Sequence, residues 1–213
     1  MASGIRDVGV VAIGRISFMV FGVATQSALA RILGPDERGS YAVCMLFSVM
    51  LSMVFMAGWD SAATYFVASK KFTISEGVVY LFVLGGIGVI LAVVGGWFAI
   101  RLPLPSLDKA PEAAFRLTLV HVATGFFTLT VPNLLIALGE FTWSTIIGVA
   151  TYAINLVAVL LMLWLVGPTV YAALWGTITS TVLGLIITLI FLRWKFRITL
   201  IRPEPKRMWE MLS

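Results

Sequence analysis

Residues 77–100 read GVVYLFVLGGIGVILAVVGGWFAI, a run without a charged residue. A bilayer core of about 30 Å needs roughly 20 apolar residues in helical form, and this stretch exceeds that length. The run does not alternate with a period of two, and it is far too long for a strand of a membrane barrel. It therefore predicts a transmembrane helix.

Five more runs of the same character lie on either side of this one. Sixty per cent of the 213 residues are apolar and only 12% are charged, against roughly a quarter in an ordinary soluble domain. A water-soluble fold of this size has no means of hiding so much apolar surface. The sequence predicts an all-α integral membrane protein, a bundle of six transmembrane helices at about residues 8–30, 41–67, 77–100, 114–138, 142–166 and 169–192.

The connections between these runs contain turn-forming residues. The segment GPDERG at residues 34–39 is predicted as the loop between the first two spans. The connections at residues 139–141 and 166–168 are tight, so the last three helices are expected to be antiparallel neighbours. We expect residues 1–193 to form the transmembrane lobe and residues 194–213 to form a basic connector with an amphipathic end at the membrane surface.

The distribution of Lys and Arg predicts the orientation in the membrane, because cytoplasmic loops carry an excess of these residues. With the N-terminus inside, the cytoplasmic segments hold nine bases, namely Arg6, Lys70, Lys71, Arg193, Lys195, Arg197, Arg202, Lys206 and Arg207. The outer segments then hold five, namely Arg31, Arg38, Arg101, Lys109 and Arg116. Both termini are therefore expected in the cytoplasm. Since the bases gather at the ends of apolar runs rather than on one patch, the charge of +5 does not indicate a nucleic-acid partner.

The first span carries two polar residues at positions that are costly in a membrane. At 100° per residue, Arg15, Gly22 and Gln26 fall on one stripe of the helix. The stripe is a candidate lining for a water-filled cavity, with Arg15 and Gln26 as substrate-binding residues. The alternative is that Arg15 extends to the nearby lipid headgroups.

Three further residues are candidates for the same cavity. Asp60 ends a stripe of methionines in the second span, where an acidic side chain needs a cation, a proton or a capping role. The methionines suit either contact with varied lipid tails or ordinary packing. His121 and Asn155 lie within the fourth and fifth spans, and for His121 the competing interpretation is a hydrogen bond to a neighbouring helix.

Signatures of catalysis and of cofactor binding are missing from the sequence. It has no phosphate-binding loop with Lys, no GxSxG, no HExxH and no CxxC. His121 has no second His or Cys at ligand spacing, so no metal site is expected. The sequence predicts neither an enzyme nor a cofactor.

Three stretches carry a family resemblance. They are Ala30–Ala42 (ARILGPDERGSYA), Gly58–Tyr65 (GWDSAATY) and Ile136–Phe141 (IALGEF). In this order and spacing they resemble the N-terminal half of bacterial polysaccharide-type flippases, the lipid-linked oligosaccharide transporters. Their superfamily also holds the multidrug and toxin extruders. The chain departs from the family pattern at Trp59 and at Glu140, where a base is common.

The resemblance implies one six-helix lobe of a two-lobe flippase that alternates between inward-open and outward-open states. Its implied substrate is a lipid pyrophosphate-linked glycan, a precursor of polysaccharide or O-antigen, in the bacterial cytoplasmic membrane. The implied partners are membrane lipids and a second, C-terminal lobe or another copy of the chain. The residues after Lys206 resemble the lead-in to a seventh helix, so we expect an N-terminal half or fragment.

Two other functions remain open from the sequence. One is an ion-coupled exporter of small solutes or drugs from the same superfamily, in which Asp60 would bind a proton or a sodium ion. The other is a non-transporting membrane scaffold for glycan assembly.

Overall fold

The computed structural model describes residues 2–56, 58–101 and 110–197, with the side chains of residues 2–8, 56, 59, 60 and 129 left aside. Those residues form seven helices and no strand. The helices are α1 (Ala2–Ile32), α2 (Gly34–Met56), α3 (Trp59–Ala68), α4 (Ile74–Ala99), α5 (Glu112–Ala137), α6 (Phe141–Val166) and α7 (Val170–Phe196). Six are long and apolar enough to cross a membrane, and α3 is the short exception. The prediction of an all-α bundle with six membrane helices is confirmed.

The long helices run up and down, which is visible from two apolar clusters at opposite ends of the bundle. One cluster joins the last turns of α1 and α6 to the first turns of α2, α5 and α7 around Leu29, Tyr41 and Phe115. We call this end the Leu29 end. The other cluster joins the starts of α4 and α6 to the ends of α5 and α7 around Phe72 and Leu134, and we call it the Phe72 end.

Helix α2 begins seven residues earlier than the sequence analysis placed the second span, so the prediction of a loop over residues 34–39 is wrong. Leu33 alone separates α1 from α2, and Gly34 has a φ of 74° that only glycine adopts easily. Pro35 fits the first turn of a helix, where its missing N–H has no partner to lose. Asp36 and Glu37 follow in the same turn, where carboxylates interact favourably with the helix dipole.

The predicted second span, residues 41–67, is two helices rather than one. Gly58 has a φ of 77° and breaks the chain between α2 and α3. Helix α3 packs on α4 and α5 at the Phe72 end, where Ala63 and Val67 are buried. The stripe that combined Met45 and Met53 with Asp60 on one continuous helix therefore does not exist.

Close helix contacts depend on small residues. Helices α6 and α7 form the most extensive pair, as expected from their tight connection at Gly167. A methyl group added to Gly176 on α7 would lie 2.6 Å from the Cα atom of Val159 on α6, so the two backbones touch. Helix α5 contacts α7 and α4 far more than it contacts α6, so of the three expected neighbours α6 and α5 both pack closely on α7, whereas α5 and α6 touch less.

Helix α7 runs on through Phe196, past residue 194 where the basic connector was predicted to begin. The rest of that predicted segment, residues 198–213, lies outside the described residues. Lys195 in the last turn of α7 forms an ion pair of 2.6 Å with Glu140. This pair ties the end of α7 to the turn between α5 and α6.

Candidate functional site

Helix α1 is held to the bundle along one narrow face. Phe18 lies against Tyr152 of α6 with 5.2 Å between ring centroids. Gly14 of α1 leaves room for the Thr145 side chain of α6, and Gly148 of α6 leaves room for the Phe18 side chain of α1. The two helices therefore approach closely at a glycine on each. The rest of α1 between Gly9 and Gln26 is largely exposed, with Thr25 and Gly14 buried.

Arg15 and Gln26 lie on this exposed part of α1. They are about a quarter-turn round the helix from the residues that meet α6. Both side chains are exposed, and neither makes a hydrogen bond or ion pair with another described residue. Arg15 is about 9 Å along the helix from the start of the apolar span at Gly9, deeper than any other charged residue described in the spans.

The stripe that contains Arg15 and Gln26 closes toward the Leu29 end. One turn beyond Gln26, Leu29 is fully buried in the cluster of α2, α5, α6 and α7, and Leu33 follows it. The stripe is therefore exposed at mid-helix and covered at the Leu29 end.

His121 lies inside the bundle rather than on this stripe. Its Nδ1 atom is 2.9 Å from the hydroxyl oxygen of Ser48 on α2, and both side chains are buried. The interpretation of His121 as a partner in a hydrogen bond between helices is confirmed. In the described part of the chain, no three His, Cys, Asp or Glu side chains lie close enough to hold a metal ion.

Asn155 also points into the bundle, toward a polar segment of α7. Its Nδ2 atom donates to the Ser180 hydroxyl over 2.8 Å. Thr177, one turn earlier, lies 3.1 Å from the Tyr41 hydroxyl of α2. Thr181 pairs with α5, since its hydroxyl lies 3.0 Å from that of Thr124, and its carbonyl accepts from Thr128.

Residues 177–181 of α7 thus connect three other helices, with one polar side chain for each. We call this segment the α7 hub. Each of its three hydroxyls also donates to a carbonyl of its own helix, so the single donor of each hydroxyl is used. The hub has the properties of an internal scaffold.

The five site residues predicted from the sequence therefore separate into groups. Arg15 and Gln26 share one open stripe, whereas His121 and Asn155 are engaged within the bundle. The side chain of Asp60 lies outside the described residues.

One polar contact was missed entirely from the sequence. The Glu37 carboxylate accepts a hydrogen bond of 2.6 Å from the backbone N–H of Val170, the first residue of α7. In the sequence, the Pro-Asp-Glu run indicates carboxylates at the start of α2, but nothing indicates that one of them reaches the start of α7.

A family model described as "Polysaccharide biosynthesis protein" matches residues 5–213. The chain belongs to this family. The resemblance drawn from the three short stretches is confirmed, and the family is one of membrane transporters. No curated protein gives a significant match to the chain.

Two solved structures share the fold of this family member. One is a MATE crystal structure in the straight conformation, with 16% identity and a TM-score of 0.62. The other is a MATE crystal structure in complex with Br-NRF, with 17% identity and a TM-score of 0.59. The alignments cover 98% and 97% of this chain but only 49% and 50% of those chains, so the chain spans about half the length of these MATE transporters. MATE transporters belong to the same superfamily.

Proposed function

We propose that this chain is one lobe of a flippase that moves lipid-linked oligosaccharide or polysaccharide precursors across the bacterial cytoplasmic membrane. The single observation that carries the proposal is the stripe of Arg15 and Gln26, exposed on a membrane helix of a polysaccharide biosynthesis family member. A charge at the centre of a membrane helix costs at least about 2.5 kcal/mol, and Arg15, inside the span though short of its centre, bears part of that cost, which favours a functional role.

The chemistry of the stripe suits a lipid pyrophosphate-linked glycan. A guanidinium is always charged and binds phosphate oxygens with two parallel hydrogen bonds. Gln26 lies about 16 Å further along α1 and offers donors and an acceptor for glycan hydroxyls. The exposed apolar residues beside the stripe, among them Met19 and Val23, are compatible with a lipid tail that stays in the bilayer.

We further propose that a second lobe completes the cavity. Half-length coverage of the MATE transporters supports this, because alternating access requires two bundles that move against each other around a central site. The second lobe comes from a longer chain, a separate chain or another copy of this one. Both termini of residues 1–213 are proposed to be cytoplasmic, and the seal at the Leu29 end then faces outward.

The proposal is tested in a flippase-deficient strain that expresses this lobe together with a C-terminal lobe of the same family. Arg15→Ala should abolish glycan export at equal membrane abundance, and Arg15→Lys should retain part of it. Arg31→Ala is the matched control, because Arg31 is an exposed base at the end of the same helix, away from the stripe. It should behave as wild type.

Wild-type export by the Arg15→Ala protein would remove Arg15 from the site and favour extension of its side chain to the headgroups. Accumulation of small solutes in everted vesicles, without glycan export, would assign the chain to the exporter class instead. Normal glycan synthesis with no export in either assay would favour the scaffold.

A further inference from the structure

A second site of positive charge lies at the other side of the bundle, around Trp97 near the end of α4. The guanidinium carbon of Arg101 is 4.9 Å from the centre of the Trp97 ring, and that of Arg116 is 5.1 Å from it. Two like charges are thus held within about 10 Å of each other by a shared aromatic ring, an arrangement stabilised by cation–π attraction.

The charges around this ring do not cancel. Glu112 accepts from Arg116 over 2.6 Å, and both side chains are more than half exposed. Arg101 is exposed, and no carboxylate in the described part of the chain pairs with it. Counted over the described residues, two guanidiniums and one carboxylate give a net charge of +1 around the ring, which an anion would complement.

A stripe of exposed apolar side chains on α4 leads to the two guanidiniums. Six side chains of α4 are 38–64% exposed, namely Ile87, Ile90, Leu91, Val94, Trp97 and Phe98. At 100° per residue they fall within about 120° of the helix surface. From Ile87 to Trp97 the stripe is about 15 Å long, which is half the thickness of the bilayer core and so the depth of one leaflet.

We propose that the Trp97 cluster, defined by Trp97, Arg101, Arg116 and Glu112, binds the headgroup phosphate of an anionic phospholipid whose acyl chain lies along the α4 stripe. The two guanidiniums contact the phosphate, and the stripe contacts the tail. This site is separate from the α1 stripe and does not depend on glycan transport.

The opposite end of the bundle provides a contrast that supports the assignment. Lys195 also lies near aromatic rings. Its ammonium nitrogen is 5.7–5.9 Å from the ring centres of Trp143, Phe191 and Phe196. There, however, Glu140 neutralises the single cation, and both side chains are only 29% exposed. In the Trp97 cluster, by contrast, Arg101 has no carboxylate partner among the described residues, and it lies next to an apolar stripe.

The test is native mass spectrometry of the purified full chain, titrated with phosphatidylglycerol or with phosphatidylcholine. The wild type should prefer phosphatidylglycerol. Arg101→Gln and Arg116→Gln should each lower that affinity about fivefold, as expected for one basic residue at an anionic surface. Arg38→Gln is the matched control, since Arg38 is an exposed base at the Leu29 end but outside the cluster, and it should change nothing.

A gain-of-binding variant keeps the test independent of folding defects. Glu112→Gln removes the carboxylate from Arg116 and should tighten phosphatidylglycerol binding, which a misfolded protein would not do. Soluble glycerol phosphate at millimolar concentration should not compete, because it lacks the tail. Equal losses with Arg38→Gln, weaker binding with Glu112→Gln, effective competition by glycerol phosphate, or no lipid preference would each overturn the proposal.

Discussion

The contact between α6 and α7 allows a sharp test of the architecture through Gly176→Ala. The added methyl group would lie 2.6 Å from the Cα atom and 2.9 Å from the nitrogen of Val159, and 3.0 Å from the carbonyl oxygen of Ala158. All three are backbone atoms, so no side-chain rotation relieves the clash. Carbon atoms in normal contact are about 3.5–4.0 Å apart, so the two helices must separate by roughly 1 Å.

The expected loss of stability follows from that displacement. Overpacking of this kind costs about 1–3 kcal/mol. The bond from Asn155 to Ser180, one turn away and 2.8 Å long, would stretch beyond hydrogen-bonding distance, at a cost of about 0.6 kcal/mol. Replacement of glycine by alanine within a helix stabilises the helix by up to about 1 kcal/mol, which offsets part of this loss. The net destabilisation should be roughly 1.5 kcal/mol.

The measurement is reversible unfolding of the purified protein in micelles by sodium dodecyl sulfate, followed by circular dichroism. Gly86→Ala is the matched control, since Gly86 lies within helix α4 and its added methyl group would have nothing within 4 Å. It should leave stability unchanged or raise it by up to about 1 kcal/mol. If Gly176→Ala were as stable as Gly86→Ala, the close approach of α6 and α7 would be wrong.

Two further perturbations address the polar contacts. Glu37→Ala should destabilise the lobe by about 1–2 kcal/mol, since a capping carboxylate at the start of α7 is lost, and hydrogen exchange at the Val170 amide should accelerate. Asp36→Ala is its control, and equal exchange in both variants would contradict the contact. Asn155→Ala should cost about 0.6–1.7 kcal/mol in the same unfolding assay and leave the Ser180 hydroxyl without its partner from α6. No loss of stability would argue against the α7 hub as a scaffold.

The sequence predicted the number of membrane helices because span length and hydropathy are local properties. It misplaced the second span for a local reason as well. The charges and proline of residues 34–39 are typical of loops, yet the same residues suit the first turn of a helix. At the other end, Gly58 ends a long apolar run and is flanked by Ala57 and Trp59, so mean hydropathy gave no sign of the break.

The surroundings of the predicted site residues were harder to predict from the sequence than the number of helices. Helical periodicity predicted that Arg15 and Gln26 share one stripe, and α1 is one helix through both residues, but the periodicity could not tell which neighbour the stripe faces. His121 and Ser48 are 73 positions apart, and Glu37 and Val170 are 133 apart. Pairs so distant in sequence depend on the packing of whole helices, which no local pattern encodes.

The distribution of hydrogen-bonded and free polar groups distinguishes the internal scaffold from the α1 stripe that we propose as the substrate site. Among the described residues, every buried side-chain nitrogen or oxygen has a hydrogen-bond partner. His121 and Asn155 each commit one polar atom to a bond between helices, and a substrate that displaced that bond would leave a polar group unpaired. Arg15 and Gln26 make no hydrogen bond or ion pair with another described residue, so a substrate could bind them without breaking one. Substitutions in the α7 hub should therefore change stability before they change transport, whereas Arg15→Ala should change transport and leave the unfolding curve unaltered.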